Sequence, residues 1–258
     1  MTSAVETLAS GAVVVIVFMG ACLAWSIRAR KLTVVDTAWG LGFVLVALVS
    51  ALLADGPLRW ILCAMTAVWG VRLAGYLHLR NRGQDEDPRY ASMAAADGRS
   101  FARVALARVF VPQGLAMWLV STPIMIGATN DDIVVALLAA GLAVWAVGLF
   151  FESVGDAQLM HFKADPANRG RLMDQGLWRY TRHPNYFGDA CVWTGIWLVV
   201  AGTWAGAVTV ISPIAMTIFL TKVTGAALNE KGMRTSKPGY DDYVRRTSGF
   251  IPLPPKRS

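Results

Sequence analysis

The chain has 258 residues, of which 55% are hydrophobic and only 16% are charged. Soluble domains carry about a quarter of their residues as charged side chains, so this composition excludes an ordinary soluble fold and indicates an integral membrane protein. The formal net charge of +7 is accompanied by no aromatic-basic RNA motif and no helix-turn-helix pattern, which argues against nucleic acid as a partner.

Seven apolar stretches are long enough, or nearly long enough, to cross a hydrocarbon core of about 30 Å. In chain order they cover residues 7–27, 34–54, 58–77, 104–128, 133–151, 189–203 and 205–228. The sixth is short, and Pro213 is expected to kink the seventh. The predicted fold is therefore an all-α, polytopic integral membrane protein with seven transmembrane helices.

The basic residues between these stretches predict the orientation of the chain. With the N-terminus outside, the inner segments contain residues 28–31, 80–108, 163–182 and the tail after residue 222, whereas the outer loops contain only Arg59 of the 24 Lys and Arg residues. This asymmetry follows the positive-inside rule, so we expect an outside N-terminus and a cytoplasmic C-terminus in a bacterial inner membrane. Because no basic residue precedes the first apolar stretch, that stretch is predicted to be a retained span rather than a cleaved signal peptide.

Cys and His residues are not spaced as metal ligands. Cys22, Cys63 and Cys191 lie singly in apolar stretches, and His78 and His161 have no second His or acidic residue at ligand spacing. No metal site is therefore predicted. No Gly-x-Gly-x-x-Gly motif follows a strand either, so a dinucleotide would have to bind without a Rossmann fold.

The densest polar stretch is residues 176–189 (GLWRYTRHPNYFGD), which leads directly into an apolar stretch. Ionisable groups at a bilayer boundary cost free energy to retain, so this many together indicate a ligand site. Upstream, Glu152 and Asp156 share one helical face, and the polar stripe continues through Gln158 and Lys163. Carboxylates suit ribose hydroxyls, basic groups suit phosphates and aromatic faces suit a flat ring, so the strip predicts a nucleotide-like ligand at the inner membrane face.

The C-terminal tail adds further polar candidates. Glu230 and Lys231 follow the seventh stretch and are expected to emerge beside residues 176–189, so one pocket could gather both; the alternative is a snorkelling helix end followed by a polar tail. Tyr240 follows within a Lys-Pro-Gly-Tyr run. The candidate cofactor-binding residues are Glu152, Asp156, Lys163, Arg171, Arg179, Tyr180, Arg182, His183, Asn185, Tyr186, Asp189, Glu230, Lys231 and Tyr240.

Residues 176–189 resemble the signature of the bacterial DUF1295 family, whose function is unassigned and which is related to the C-terminal domain of steroid 5-alpha-reductases. The resemblance covers most of the chain, through residues 36–40, 79–83, 152–156, 163–166, 237–240 and 250–252. The central block is specific. A bare Arg-His-Pro-x-Tyr is less so, since it also occurs in integral-membrane methyltransferases that act on isoprenylcysteine and on phospholipids.

The resemblance implies a seven-helix membrane reductase with two parts. Residues 129–258 would hold NADPH in a cytoplasm-facing cavity, and residues 1–128 would bind a lipid between their helices. Two departures from the steroid enzymes stand out. Glu152 occupies the place of an amide residue, and the His/Arg-rich final helix is absent, which leaves Glu230 and Lys231 as its polar substitutes.

When the residue roles of the steroid 5-alpha-reductases are carried over by position, five residues are expected to contact the cofactor. Asn185 and Asp189 match polar residues on the nicotinamide side, and Asp156 matches an acid that contacts the adenosine part. Lys163 matches a basic residue near phosphate, and Tyr180 matches an aromatic residue that lines the cofactor.

The leading hypothesis is NADPH-dependent reduction of a carbon–carbon double bond in a hydrophobic lipid or steroid-like substrate. Hydride attack leaves an enolate-like charge that a polar side chain must stabilise and protonate. The candidate catalytic residues are Asp36, near the start of the second span, and Tyr76, near the end of the third, with Arg72 as a partner for Asp36. For Asp36 the alternative is an interfacial helix cap.

Two other functions stay open. The runner-up is a methyltransferase that binds S-adenosylmethionine at the same site, and the third is a lipid-binding or scaffold protein without catalytic activity. Arg169, Arg171 and Arg179 offer partners for a 2′-phosphate, so NADPH is predicted over NADH. No local motif in the sequence identifies the lipophilic substrate or the oligomeric state.

Overall fold

In a computed structural model, the structure describes residues 2–87, 90–91, 100–223, 230, 232–234 and 236–256. Over these ranges the backbone is helical, and the single β-type contact is an isolated parallel bridge between Thr181 and Ser248. The all-α prediction is therefore confirmed. The chain forms two compact units, Met1–Leu138 with Ile196–Ser212, and Ala139–Gly195 with Pro213–Ser258.

The first unit is built mainly from four long helices, α1 to α4. Their bounds are Ala4–Ala29, Val34–Leu53, Arg59–Asn81 and Phe101–Gly127. α2 and α3 approach through small residues, because a Cβ on Gly40 would lie 2.4 Å from the Gly70 carbonyl oxygen. Such close backbone contact is the usual way in which helices associate where the hydrophobic effect no longer drives them together.

Three further long helices follow, together with a short one in the tail. α5 is Val135–Ala164, α6 is Pro184–Val200, α7 is Trp204–Lys222 and α8 is Tyr240–Arg246. Between α5 and α6 the chain makes two 3₁₀ turns, Pro166–Asn168 and Gly176–Arg179. The second turn begins at Gly176, whose φ of +57° is accessible to glycine at little cost.

Six of these helices, α1 to α5 and α7, are long and apolar enough to cross a membrane. Their exteriors carry large apolar side chains, such as Ile16 at 70% and Trp204 at 84% exposure, which a lipid environment accommodates. α6 corresponds to the predicted sixth span and has 17 residues. The described residues thus contain six helices that could span a membrane, which is consistent with membrane integration, and the predicted seventh span stays a prediction.

Candidate functional site

A glycine contact between α5 and α6 positions the candidate residues of the second unit. A Cβ on Gly148 would lie 2.5 Å from the carbonyl oxygen of Gly188, and a Cβ on Gly188 would lie 2.5 Å from the backbone nitrogen of Glu152. The two backbones therefore touch. Glu152 lies one turn beyond Gly148 on α5 and is 2% exposed. Asp189 directly follows Gly188 on α6 and is 7% exposed.

One turn further along the same contact, a hydrogen bond joins the two helices. The Asn185 amide nitrogen donates to Asp156 Oδ1 at 3.1 Å, and Asn185 Oδ1 accepts from the backbone N–H of Tyr186. Asp156 is 3% exposed. The structure thus aligns Glu152, Asp156, Asn185 and Asp189, all predicted from sequence, along what we call the α5–α6 seam.

The seam consists mainly of buried carboxyl groups, which accept hydrogen bonds and are shielded from water. A buried carboxylate is retained only when donors or cations compensate its lost hydration, and here α6 supplies one such donor to Asp156. Three carboxyl groups and one carboxamide suit a ligand that presents hydroxyl, amide or cationic donors. Among the described residues, no group of His, Cys, Asp and Glu is arranged as a metal site.

A second cluster surrounds Glu230. Arg182 Nε donates to Glu230 Oε1 at 3.0 Å, and His183 Nε2 lies 2.9 Å from the same oxygen. The His183 ring is 4% exposed and stacks on the Tyr186 ring, with centroids 5.2 Å apart. The hydrogen bond from His183, followed by those from Arg182, lowers the Glu230 pKa to about 2, so the carboxylate stays charged although it is partly buried.

Arg182 is also engaged with the C-terminal tail. Its Nη1 donates to the carbonyl oxygen of Thr247 at 2.8 Å, which leaves its guanidinium bound mainly by protein groups. Tyr240 packs into the same region at 1% exposure. Burial, reinforced by the charge of Glu230, raises the pKa of Tyr240 to about 12, so its phenol stays protonated.

The remaining predicted cofactor residues lie on the surface of the second unit. Lys163, Arg171 and Arg179 are exposed, and Tyr180 is 43% exposed. They belong to the end of α5 and to the segment between α5 and α6. Lys231 lies outside the described residues.

Asp36 belongs to the first unit and has partners that the sequence did not predict. The Tyr90 hydroxyl donates to Asp36 Oδ1 at 2.8 Å, and Arg80 Nη2 lies 3.5 Å from Asp36 Oδ2. The Tyr76 ring lies 5.9 Å from the Arg80 guanidinium carbon. Glu86 accepts hydrogen bonds from the Thr33 backbone N–H and hydroxyl, which ties the segment after α3 to the start of α2.

The sequence singled out residues 176–189 but did not predict the contacts of the 3₁₀ turn before α6. Trp178 Nε1 donates to the Gly155 carbonyl oxygen at 3.0 Å, and the Leu177 N–H donates to Gln158 Oε1 at 2.9 Å. Thr181 is fully buried. A neutral side chain that bonds backbone groups carries no charge pattern, so the polar periodicity that revealed Asp156 could not reveal these contacts.

Comparison with known proteins adds two findings. A family model described as "Protein of unknown function (DUF1295)" matches residues 22–247. A probable O-methyltransferase, ustE, from Ustilaginoidea virens is 37% identical over 65 residues, which make up 25% of this chain and 23% of that protein. The chain thus matches about a quarter of the length of that relative. No solved structure matches the chain.

Proposed function

The chain belongs to the DUF1295 family, and on that premise we propose that it is a membrane-embedded enzyme that binds NADPH along the α5–α6 seam and reduces a carbon–carbon double bond in a hydrophobic substrate. The observation that carries the proposal is the hydrogen bond between Asn185 and Asp156, set among buried carboxylates. A structural contact between two apolar helices does not need such groups, and their burial costs free energy.

The length of the polar stripe favours a dinucleotide. Glu152, Asp156 and Lys163 follow one another on α5, and the eleven helical steps from Glu152 to Lys163 extend over about 16 Å of helix axis. The stripe begins with buried acceptors and ends with exposed cations, Lys163 with Arg171 and Arg179 in the next segment. Ribose hydroxyls and a carboxamide suit the first part, and phosphates suit the second.

The reduction needs a proton as well as a hydride. Hydride from the nicotinamide adds to the electron-poor alkene carbon, and a proton then adds to the neighbouring carbon as the enolate collapses. We favour the Asp36–Tyr90 pair as the source of this proton, because Tyr90 is 7% exposed and its hydroxyl shares a proton with Asp36, beside which Arg80 lies. Tyr76, beside Arg80, is the second phenol to test.

We further propose that the chain crosses the membrane seven times, with the N-terminus outside. α6 would cross as the sixth, although its 17 residues extend over only about 26 Å; thinning of the bilayer accommodates a short span. Cysteine labelling by a membrane-impermeant maleimide tests this in a variant without the three native cysteines. Asp55→Cys should react in intact cells and Arg171→Cys only after lysis. Labelling of both in intact cells would overturn the orientation.

A second candidate is an S-adenosylmethionine-dependent methyltransferase of the isoprenylcysteine or phospholipid type. The similarity to a probable O-methyltransferase favours it, and so does the acidic seam, because buried carboxylates attract the sulfonium and ammonium groups of that cofactor. Methyl transfer requires orientation and little acid catalysis. It therefore predicts that Tyr90 and Asp36 are dispensable for the chemistry.

Binding to the purified full chain tests the proposal. We expect NADPH to stabilise the protein against thermal unfolding more than NADH does, and Asn185→Ala to weaken its affinity by about tenfold or more, the loss expected when a hydrogen bond to a charged group is removed. Asn130→Ala is a matched control, since Asn130 is 9% exposed and its amide donates to Thr203 in the first unit. Stabilisation by S-adenosylmethionine alone would establish the second candidate, and binding of neither would leave a lipid-binding protein.

A further inference from the structure

The last described residues of the chain run alongside the turn that precedes α6. The Arg182 N–H donates to the Ser248 carbonyl oxygen at 2.9 Å, and the Thr181 hydroxyl donates to the Phe250 carbonyl oxygen at 2.8 Å. The Leu253 N–H donates to the Tyr180 carbonyl oxygen at 3.0 Å. We call residues 247–253 the C-terminal strap.

An aromatic series links the strap to the seam. The Phe250 ring meets the Phe187 ring edge to face, with centroids 6.1 Å apart, and Phe187 meets Phe151 in the same way at 5.0 Å. Phe187 lies on α6 between Asn185 and Asp189, and Phe151 directly precedes Glu152 on α5. The strap therefore packs on Phe187, near Asn185 and Asp189, and Phe187 in turn packs on Phe151 beside Glu152.

Hydrogen bonds also hold the chain just before the strap and at its first residue, Thr247. Before it, α8 is held to the 3₁₀ turn, because the Tyr243 hydroxyl donates to the Trp178 carbonyl oxygen. Arg182 reaches the Thr247 carbonyl oxygen from the other side. Burial raises the Tyr243 pKa, so its hydroxyl keeps the proton that this bond requires.

We propose that the C-terminal strap is a positioning element of the cofactor site, which sets the place of Asn185 and Asp189 through Phe250 and the Thr181 hydroxyl. The inference rests on the proposed function for the identity of the ligand. No strap residue touches the ligand. The strap instead holds the first turn of α6, so that the Asn185 amide meets Asp156 before a ligand arrives, and preorganisation of this kind lowers the cost of binding.

The test combines amide hydrogen exchange with cofactor binding on the purified full chain. Phe250→Ala removes the aromatic link, Thr181→Val removes one hydroxyl at constant shape, and Phe250→Leu restores apolar bulk. Ile251→Ala is the matched control, because its side chain is 60% exposed on the same strap. NADPH and S-adenosylmethionine are both titrated as probes.

For Phe250→Ala we expect faster exchange of residues 180–189 only. Affinity for whichever cofactor the wild type binds should fall by about tenfold, since binding must then order site groups that the strap no longer holds. Thr181→Val should show the same pattern more weakly, and Phe250→Leu should recover affinity. Unchanged exchange and affinity, or exchange that rises evenly along the chain, would overturn the inference. If the wild type binds neither cofactor, the proposed function fails, and exchange of residues 180–189 alone decides whether the strap holds this segment.

Discussion

Asp36 in the first unit and Asp156 in the second each accept a hydrogen bond from another side chain, at 2.8 and 3.1 Å. Their surroundings differ. Asp36 draws its partners from the end of α3 and the segment after it, and its ion-pair partner Arg80 is 39% exposed. Asp156 is 3% exposed and draws its donor from a neighbouring helix across a glycine contact. The Asp36 side chain is 13% exposed and has two charged or polar partners, whereas Asp156 is more deeply buried and its donor comes from a single neighbouring helix. We therefore expect the seam to depend more on its geometry.

The largest effect is expected from placing a side chain in the glycine contact between α5 and α6. Gly188→Leu places carbon atoms where the Glu152 backbone and the Gly148 carbonyl oxygen already lie, so α5 and α6 must separate. We expect a loss of about 3 kcal/mol, the upper end for overpacking, because the obstacles are backbone atoms. Thermal unfolding and the yield of folded protein measure it.

Gly20→Leu on α1 is the control in the first unit, because a Cβ there meets nothing within 4 Å. Its unfolding midpoint should match that of the wild type. Equal stability of the Gly188 and Gly20 variants would show that the seam is not closely packed.

Double-mutant cycles compare the two aspartates directly. We expect a coupling of about 2 kcal/mol between Asp156 and Asn185, because the bond is buried and its acceptor is a carboxyl group. The cycle between Asp36 and Tyr90 should give about 1 kcal/mol or less, since Arg80 remains as a second partner of Asp36 when Tyr90 is removed. Denaturant titration in a fixed detergent provides the energies, and couplings of equal size would contradict the contrast.

The Glu230 cluster should give the second unit a characteristic pH dependence. The folded pKa of about 2 is below the ordinary value of 4.5, so Glu230 stabilises the fold fully above pH 4.5, and this contribution is lost as the pH falls towards 2. Glu230→Gln removes the contribution. The difference in unfolding midpoint between wild type and variant should therefore shrink between pH 4.5 and 2, and a difference that does not change with pH would show that the carboxylate is not held by His183 and Arg182.

The smallest effect is expected at Arg80. Arg80→Gln removes a 3.5 Å ion pair with Asp36, in which Arg80 is 39% exposed and Asp36 is 13% exposed. Because Arg80 is reached by solvent, the contribution of the pair should be below about 1 kcal/mol and should weaken in high salt. If Asp36 orients the proton donor, turnover with the lipid substrate should fall more than stability does. A loss of stability beyond about 2 kcal/mol would instead make this cluster a structural element.

Periodicity explains which parts of the site were predicted. Glu152 and Asp156 stand out because carboxylates inside an apolar helix are costly, and the spacing of four residues places them on one face. Membership of the DUF1295 family likewise follows from residues 176–189 and is confirmed. Glu230 was placed beside this cluster from its position at the end of a span, and the structure joins it to Arg182 and His183.

Contacts between distant segments were not predictable in the same way. Tyr90 lies 54 residues from Asp36, and Phe250 lies 69 residues from Thr181, so no local pattern relates them. Arg182 was expected to bind a cofactor, and the structure shows its guanidinium bonded to Glu230 and to the Thr247 carbonyl oxygen. Whether it also reaches a ligand stays a prediction.

By itself, the sequence determined the helical class, the apolar stretches long enough to cross a membrane and the polar stripe on α5, because these depend on hydrophobicity and on the repeat of the helix, which are local properties. Only the tertiary structure decided which carboxylates are buried, which donor Asp156 receives and what the tail binds. Those outcomes depend on how closely two backbones approach, and Gly148 and Gly188 set that distance only once α5 and α6 have met.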